Sequence, residues 1–356
     1  MPRPQNIPKK WLFLLGLVVI LVSFIAFTRP GKTLYKVFRL ATALNPSETT
    51  FTKPSKIKYA QISYPDDGKF TQALIFRKGA QKQSAVIISA GVGLTNYNTS
   101  LINSFASSLA DLGITVMIPQ TQSMQDNIVT ESSIRSYVNA FRYLESQNSI
   151  DKNKIGYFGF CAGASFLALA AEDKDIADRI SLLALFSPYN DLIDYYAQAF
   201  AHQAITVTNS RDWKPHPQTV DLLEKNFTYR ANLIPSETLN AAQTNQITKQ
   251  PQNALEKKRQ IESVLPQTML DEAKLLSPNH AAQNIKAKTY IVHDYNDTFT
   301  PREESERLKA EIQNAQLIEP TIFDHTIFRK DISPLTWAIQ GSQVLIFFYK
   351  ILYNVS

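Results

Sequence analysis

The sequence of this 356-residue chain predicts an α/β protein whose central sheet is mostly parallel and is covered by helices on both faces. One observation is that apolar, β-branched runs alternate along the chain with segments of helical spacing. Another is that SAVIISA (84–90) and ITVMIP (114–119) are continuously apolar, as expected of strands buried on both faces. A composition of 44% hydrophobic and 19% charged residues supports a packed core and excludes wholesale disorder.

The predicted sheet begins with an antiparallel pair. Residues 56–64 and 71–78 alternate in polarity on either side of the turn signal Pro65-Asp66-Asp67-Gly68. The other predicted strands are 84–90, 114–119, 154–160, 180–186, 288–294 and 315–323, and the clearest predicted helices are 130–147, 165–171, 303–315 and 333–352. Reactive groups in parallel sheets lie at the carboxyl ends of the strands, so a site is expected at that rim.

The regular alternation stops between residues 189 and 275. This stretch has no buried-strand pattern but contains helical fragments such as VDLLEKNF (220–227), and it is too long for a structureless loop. It divides the predicted core into a first part, 51–188, and a second part, 276–356. We predict a largely helical lid above the carboxyl ends of the strands; structural padding is the alternative.

The amino end predicts a membrane anchor. Residues 11–27 are uncharged over 17 positions, follow a basic tail (1–10) and begin with an interfacial Trp11. A cleaved signal peptide is the alternative, but no small-x-small cleavage site follows. The connector, 28–50, is also basic, so charge barely discriminates between the two orientations; the working assignment places the folded domain outside the cytoplasm.

The charge distribution, the cysteine count and the histidine spacing argue against several other classes of protein. The formal net charge is +6, but the basic residues are scattered, and the densest cluster, 257–259, is better explained as a solvated helix face than as a nucleic-acid site. One cysteine, Cys161, cannot form an intrachain disulfide. The scattered histidines show no metal-ligand spacing, so neither a metal nor an organic cofactor is predicted.

The single cysteine lies in the segment Gly159-Phe160-Cys161-Ala162-Gly163, between a predicted strand and a predicted helix. This pattern, with a nucleophile at the centre of five residues and glycine at both ends, is typical of a sharp strand-to-helix turn that exposes the middle side chain. Crowding at such a turn requires very small flanking residues. The amino end of the helix favours a thiolate, the reactive form of cysteine. The alternative is a small buried hydrophobe, the usual fate of a free cysteine.

A nucleophile of this kind requires a base, and the base requires an orienting acid. The expected chain order here is nucleophile, acid, histidine. Segment 290–301 ends a predicted strand and presents Asp294 and Asp297, of which Asp297 is favoured because it lies farther into the loop. His325 is the one histidine in a loop after the last predicted strand, so we predict it as the base. The other histidines are assigned to the insertion or to packing: His202, His216, His280 and His293.

Two backbone N–H groups are expected to complete the site by stabilising an oxyanion. One belongs to Ala162, directly after the proposed nucleophile. The other is expected from the turn after strand 84–90, where Gly91 and Val92 are the candidates. A plain glycine turn is the alternative for this second donor.

Over roughly residues 51–356, the chain resembles the α/β-hydrolase superfamily. Three segments are similar to its strand–elbow–helix, its acid loop and its histidine loop: DKNKIGYFGFCAGA (151–164), HDYNDTFTP (293–301) and DHTIF (324–328). The resemblance maps the acid onto Asp297. Cysteine in place of the usual serine resembles the dienelactone hydrolases and the polyhydroxyalkanoate synthases. Ala164 and Asp294 stand where glycine is usual, and the turn after the first buried strand lacks the familiar histidine.

Three functional hypotheses follow. The first is a membrane-anchored hydrolase that cleaves carboxylic esters, lactones or thioesters of a small-molecule acyl substrate through Cys161, His325 and Asp297. The second is an acyltransferase with the same triad, in which a hydroxyl or thiol replaces water. The third is a catalytically silent hydrolase-like domain that binds a ligand or partner at the membrane.

Overall fold

The computed structural model describes residues 27–43, 57–92, 96–231, 241–249, 252–329 and 331–355, with the single residues 23, 25 and 239. The predicted anchor, 11–27, therefore lies almost entirely outside the described residues and remains a prediction. Within the described part of the chain, no helix combines the length and apolarity that crossing a bilayer requires.

An eight-stranded sheet forms the centre of the molecule and confirms the predicted α/β class. The strands, in chain order, are β1 (Lys58–Asp66), β2 (Lys69–Arg77), β3 (Gln83–Ser89), β4 (Ile114–Pro119), β5 (Ile150–Phe160), β6 (Ile180–Phe186), β7 (Gln203–Ile205), β8 (Ser210–Asp212), β9 (Thr289–Val292), β10 (Ala315–Ile318), β11 (Phe323–Asp324) and β12 (Ile327–Phe328). The central sheet has the order β1-β2-β4-β3-β5-β6-β9-β10. Strands β1 and β2 are antiparallel to their neighbours, and every pair from β4 to β10 is parallel.

Helices connect the strands and cover both faces of the sheet. They are α1 (Arg29–Ala43), α2 (Asn96–Asp111), α3 (Gln122–Asp126), α4 (Glu131–Ser146), α5 (Ala162–Ala171), α6 (Leu192–Ala201), α7 (Pro217–Ala231), α8 (Ala241–Lys249), α9 (Ala254–Val264), α10 (Gln267–Leu275), α11 (Arg302–Glu311) and α12 (Pro334–Val355). One apolar core lies between the sheet and α4, α5 and α11. A second core lies on the opposite face, beneath α1, α2 and α12.

The segment between β6 and β9 is largely helical. It contains α6 to α10 and a two-stranded hairpin, β7–β8, that the sequence patterns did not indicate. Its helices bury apolar residues such as Tyr196, Phe227 and Ile261 in the same core as α4 and α5. The insertion is therefore packed on the domain, and its action as a lid remains a prediction.

The predicted basic connector, 28–50, contains a helix. Val37 and Leu40 of α1 are buried against the second core, which also holds Phe347 and Ile351 of α12. The buried apolar stripe of α1 is short, and residues of α12 complete the apolar core around it. The end of the chain, 344–352, is part of α12 and has its apolar face in the core.

Candidate active site

Cys161 occupies a strained turn between β5 and α5. Its backbone has φ 53° and ψ −134°, a region that non-glycine residues rarely adopt. The N–H of Cys161 donates to the carbonyl of Phe186 at 2.8 Å, and the N–H of Ala164 donates to the carbonyl of Cys161 at 2.8 Å. These bonds connect the turn to β6 and to the first turn of α5, so the unusual conformation is held from both sides.

The small residues around Cys161 are required by close backbone contacts. A Cβ on Gly159 would lie 2.3 Å from Cα of Ala164. A Cβ on Gly163 would lie 2.4 Å from the backbone nitrogen of Gly91. Backbone atoms cannot move aside as a flexible side chain does, so both positions exclude even alanine. The close approach of Gly163 to Gly91 brings the turn after β3 against the turn that holds Cys161.

The structure brings Asp297 and His325 together. Nδ1 of His325 lies 2.7 Å from Oδ2 of Asp297. The other carboxylate oxygen, Oδ1, accepts the N–H groups of Phe299 at 2.7 Å and Thr300 at 3.0 Å, which fixes the carboxylate plane. His325 stands in the tight turn between β11 and β12 with φ 57°, and its own N–H donates to Asp294 at 3.1 Å. Asp294 therefore supports the backbone of His325, while Asp297 contacts its ring.

The remaining side of the imidazole interacts with Cys161. Burial alone would lower the pKa of His325, but the Asp297 carboxylate, the charge of Cys161 and hydrogen bonds to both side chains raise it well above its ordinary value. Burial would likewise raise the pKa of Asp297, but the charge of His325 and hydrogen bonds from His293 and His325 hold it well below its usual range. The imidazole of His325 therefore lies between the Asp297 carboxylate and the side chain of Cys161.

The three predicted oxyanion donors lie beside the elbow. Ala162 is the first residue of α5, where backbone N–H groups have no partner within their own helix. Gly91 has φ +80°, and a Cβ there would approach the nitrogen of Ala162 to 3.4 Å, so the two segments are in contact. Val92 follows directly and packs half-buried against the core. The two candidates for the second donor are thus adjacent to the first.

Four side chains that the sequence argument did not assign to the site hold the acid loop. Nε2 of His293, which is fully buried, contacts the carbonyl of Thr300 at 3.0 Å and lies 3.4 Å from Oδ2 of Asp297. Trp213, from the insertion, donates its indole N–H to the carbonyl of Asp297 at 2.8 Å. Tyr195 donates its hydroxyl to the carbonyl of Phe299 at 2.7 Å, and the Phe299 ring stacks on His325 with centroids 4.7 Å apart.

The sequence indicated the position of one of these supporting side chains but not of the two from the insertion. His293 ends the strand before the acid loop, so its position near Asp297 was available from the motif. Trp213 and Tyr195 lie in the insertion, about which the sequence motifs say nothing. Burial and the negative charge of Cys161 both raise the pKa of Tyr195 well above its ordinary value, which also indicates how close the insertion comes to the thiol.

The other histidines have local roles. His216 stacks on the far face of Phe299 at 4.5 Å, His280 contacts the carbonyl of Ser277 through Nδ1, and His202 ends α6 with φ 56°. Among the residues that the structure describes, no group of three or more histidine, cysteine, aspartate or glutamate side chains is arranged to hold a metal ion.

Comparison with known proteins identifies the architecture. No protein-family model matches the chain, and no curated protein is significantly similar to it. Among solved structures, the α/β-hydrolase GrgF from Penicillium sp. sh18 gives a TM-score of 0.53 at 14% identity, over 83% of this chain and 98% of that one. EstE1, a thermophilic carboxylesterase cloned from a metagenomic library, gives 0.51 at 14% identity, over 91% and 96%. A 2,6-dihydroxy-pseudo-oxynicotine hydrolase gives 0.52 at 13% identity, over 83% and 67%.

The sheet order, the strained residue after β5 and the structural similarities agree with one another. The chain has the α/β-hydrolase fold, as the resemblance of its sequence motifs implied. At these levels of identity, the similarity establishes the fold and not the reaction.

Proposed function

We propose that this protein is a membrane-anchored hydrolase that cleaves carboxylic ester, lactone or thioester bonds through Cys161, His325 and Asp297. The observation that carries the proposal is the position of one imidazole: His325 hydrogen-bonds to Asp297 on one side and interacts with Cys161 on the other. A free structural cysteine has no need of such a neighbour, whereas a nucleophile requires it.

The proposed reaction has two stages. In the first, the thiolate of Cys161 attacks the substrate carbonyl carbon, and the C=O electron pair moves onto oxygen, where the N–H of Ala162 and that of Gly91 or Val92 stabilise it. Collapse of this oxyanion expels the leaving group, which takes a proton from His325 and leaves a thioester on the enzyme. In the second stage, His325 removes a proton from water, the hydroxide attacks the thioester, and the acid product departs with the thiolate restored.

The ion pair supports the first stage. An imidazolium whose pKa is raised by Asp297 and Cys161 stabilises a thiolate beside it and holds the proton that the leaving group requires. Asp297 remains ionised in this cycle because its carboxylate accepts three donors, the N–H groups of Phe299 and Thr300 and the ring of His325, and lies close to His293. The role of Asp297 is to fix the orientation of the His325 ring and to balance the positive charge of that ring.

Thiol reactivity tests the pairing directly, because the chain has one cysteine. Iodoacetamide should alkylate Cys161 rapidly at neutral pH in the full-length protein and in His216→Ala, which removes a histidine that stacks on Phe299 but does not contact Asp297. In His325→Ala, the rate should fall by on the order of tenfold or more. Equal rates in all three proteins would favour a silent, ligand-binding domain.

Turnover tests the reaction. The full-length protein should hydrolyse members of a panel of chromogenic esters, thioesters and lactones, and Cys161→Ala should lose that activity. Turnover that is unchanged in Cys161→Ala would contradict the proposal. Products formed with added alcohols or thiols in preference to water would indicate the acyltransferase instead.

A further inference from the structure

The outer face of α1 carries large aromatic side chains together with Arg39, which donates to the Tyr35 hydroxyl at 3.2 Å, although the helix is already packed on the domain. Thr33, Val37 and Leu40 form its buried stripe. On other sides of the same helix, Tyr35 is 51% exposed and Phe38 is 58% exposed. A short surface helix usually shows polar residues there, so large exposed aromatic side chains indicate a second contact that the domain itself does not provide.

Positive charge flanks this apolar face. Lys32 is exposed, and Lys36 follows it by one helical turn. Burial lowers the pKa of Lys36, and the positive charges of Lys154 and Lys32 lower it further, so this side of the helix is electropositive. An anionic lipid surface would attract the positive charge of Lys32 and Lys36.

Helix α1 covers one face of the sheet, and its contacts lie toward the end of the strands away from the candidate active site. Arg39 of α1 pairs at 2.7 Å with Asp111, the last residue of α2 before β4 begins. Arg29 donates to the carbonyl of Tyr353 at 2.6 Å, near the end of α12, and Lys154 lies in the amino-terminal part of β5. Cys161 stands at the other end of β5, about 23 Å away by the rise of an extended strand.

The sequence directly before α1 is the uncharged run 11–27, and the exposed Phe27 is its last residue. A chain that leaves a bilayer at residue 27 would place the first turns of α1 at the level of the lipid headgroups. Tyrosine and phenylalanine with neighbouring lysines form the composition that settles in this interfacial layer.

We propose that the outer face of α1 lies in the headgroup region of a bilayer containing anionic lipid, so that the active-site rim faces away from the membrane. The inference rests on the proposed amino-terminal anchor but not on the proposed reaction. Its consequence is that acyl substrates reach Cys161 from the aqueous phase and not from within the lipid layer.

Lipid contact can be measured position by position in the full-length protein. In a Cys161→Ala background, single cysteines at Phe38→Cys on α1 and at Val207→Cys, which is 97% exposed in the β7–β8 turn, would each carry an NBD fluorophore. The proteins would be reconstituted in vesicles of phosphatidylcholine and phosphatidylglycerol that contain headgroup-nitroxide lipid. Quenching should be several-fold stronger at position 38 than at position 207.

The charge requirement has its own matched variants. Lys32→Glu should reduce quenching at position 38 in these vesicles, whereas Lys309→Glu, an equal charge change on the exposed side of α11, should not. Replacing phosphatidylglycerol by phosphatidylcholine should weaken the quenching in the protein that retains Lys32. It should also remove the difference in quenching between the Lys32→Glu and Lys309→Glu variants.

The outcomes separate the anchor from the orientation. Failure of the full-length protein to float with vesicles overturns both. Flotation with equally weak quenching at positions 38 and 207, or stronger quenching at 207, overturns the orientation alone. Energy transfer between labelled copies at position 38 without lipid quenching would show that a second copy covers α1, which also overturns it.

Discussion

Two aspartates three positions apart, Asp294 and Asp297, have opposite electrostatic environments. Burial would raise the pKa of Asp297, but His325 and His293 hold it well below its usual range. Burial and the neighbouring Asp297 charge raise the pKa of Asp294 to about 6, against the lowering effect of the N–H groups of Asn296 and His325. Asp297 is therefore ionised throughout the ordinary pH range, whereas Asp294 exchanges its proton near pH 6, and Asp297 is the one that contacts the imidazole.

This difference predicts unequal effects of the same substitution. Asp297→Asn should lower kcat/KM by on the order of 10³-fold, because an amide neither fixes the imidazole tautomer nor balances its charge. Asp294→Asn keeps one backbone acceptor and should cost about tenfold or less. Steady-state kinetics on the best substrate of the panel would measure both. Similar losses in the two variants, or a larger loss at Asp294, would contradict the assignment of the acid.

The sequence was sufficient to predict which charged residues would meet, but not what holds them. The chain order of Cys161, Asp297 and His325 at strand ends is a local signal, and the structure brings these residues together; their catalytic roles remain predictions. The bond from Trp213 to the Asp297 carbonyl spans 84 positions of sequence. Nothing in the residues around Trp213 indicates that partner, because the contact depends on how the insertion packs.

At the scale of single elements, the elbow depends on the absence of side chains on its glycines. Gly159→Ala should destabilise the protein by about 3 kcal/mol or more, because its Cβ would meet the backbone of Ala164 at 2.3 Å. Gly156→Ala, on the same strand, is the matched control: its nearest contact is the side chain of Leu182 at 3.0 Å, so about 1 kcal/mol is expected. Denaturant unfolding of both variants measures the difference, and equal losses would show that the elbow is not uniquely crowded.

The insertion should influence catalysis through the acid loop that it clamps. Trp213→Phe keeps most of the apolar contact but leaves the Asp297 carbonyl without its indole donor, at an expected cost of about 1–2 kcal/mol in stability. If the clamp positions Asp297, kcat should also fall by about tenfold, with less change in KM. A variant that loses stability and retains full kcat would show that Trp213 acts only in packing.

Elements with a strong local pattern were predictable, and those completed by distant partners were not. The predicted strands 114–119 and 180–186 coincide with β4 and β6, because both are mostly apolar and almost entirely buried. Helix α1 was not predicted, since its buried stripe is short and its apolar surface is divided between the domain and the exterior. The three-residue strands β7 and β8 are too short to leave a periodic signal.

At the scale of the whole molecule, two acidic residues from the two halves of the core influence each other electrostatically. Glu172 ends α5 in the first half, and Glu311 ends α11 in the second. Asn190, at the start of the insertion, donates to Glu311 at 3.1 Å. Burial raises the pKa of Glu172 to about 9, and the negative charge of Glu311 contributes to the shift. The assembled domain therefore binds a proton at neutral pH that the unfolded chain releases.

The sign of the resulting pH dependence can be derived. The native pKa of Glu172 is raised above its ordinary value of 4.5, so the favourable contribution is complete below about pH 4.5 and is lost as the pH rises toward about 9. Glu172→Gln keeps the shape of the neutral acid and cannot ionise. Its free energy of unfolding should match that of the unmodified protein near pH 4.5 and exceed it at about pH 8 by roughly 4 kcal/mol. Urea unfolding across this range measures the gap, and Glu131→Gln, an exposed position at the start of α4, should show none. A difference in unfolding free energy that stays constant with pH, or that grows toward acidic pH, would contradict the prediction. It would mean that the carboxyl groups of Glu172 and Glu311 do not share a buried environment.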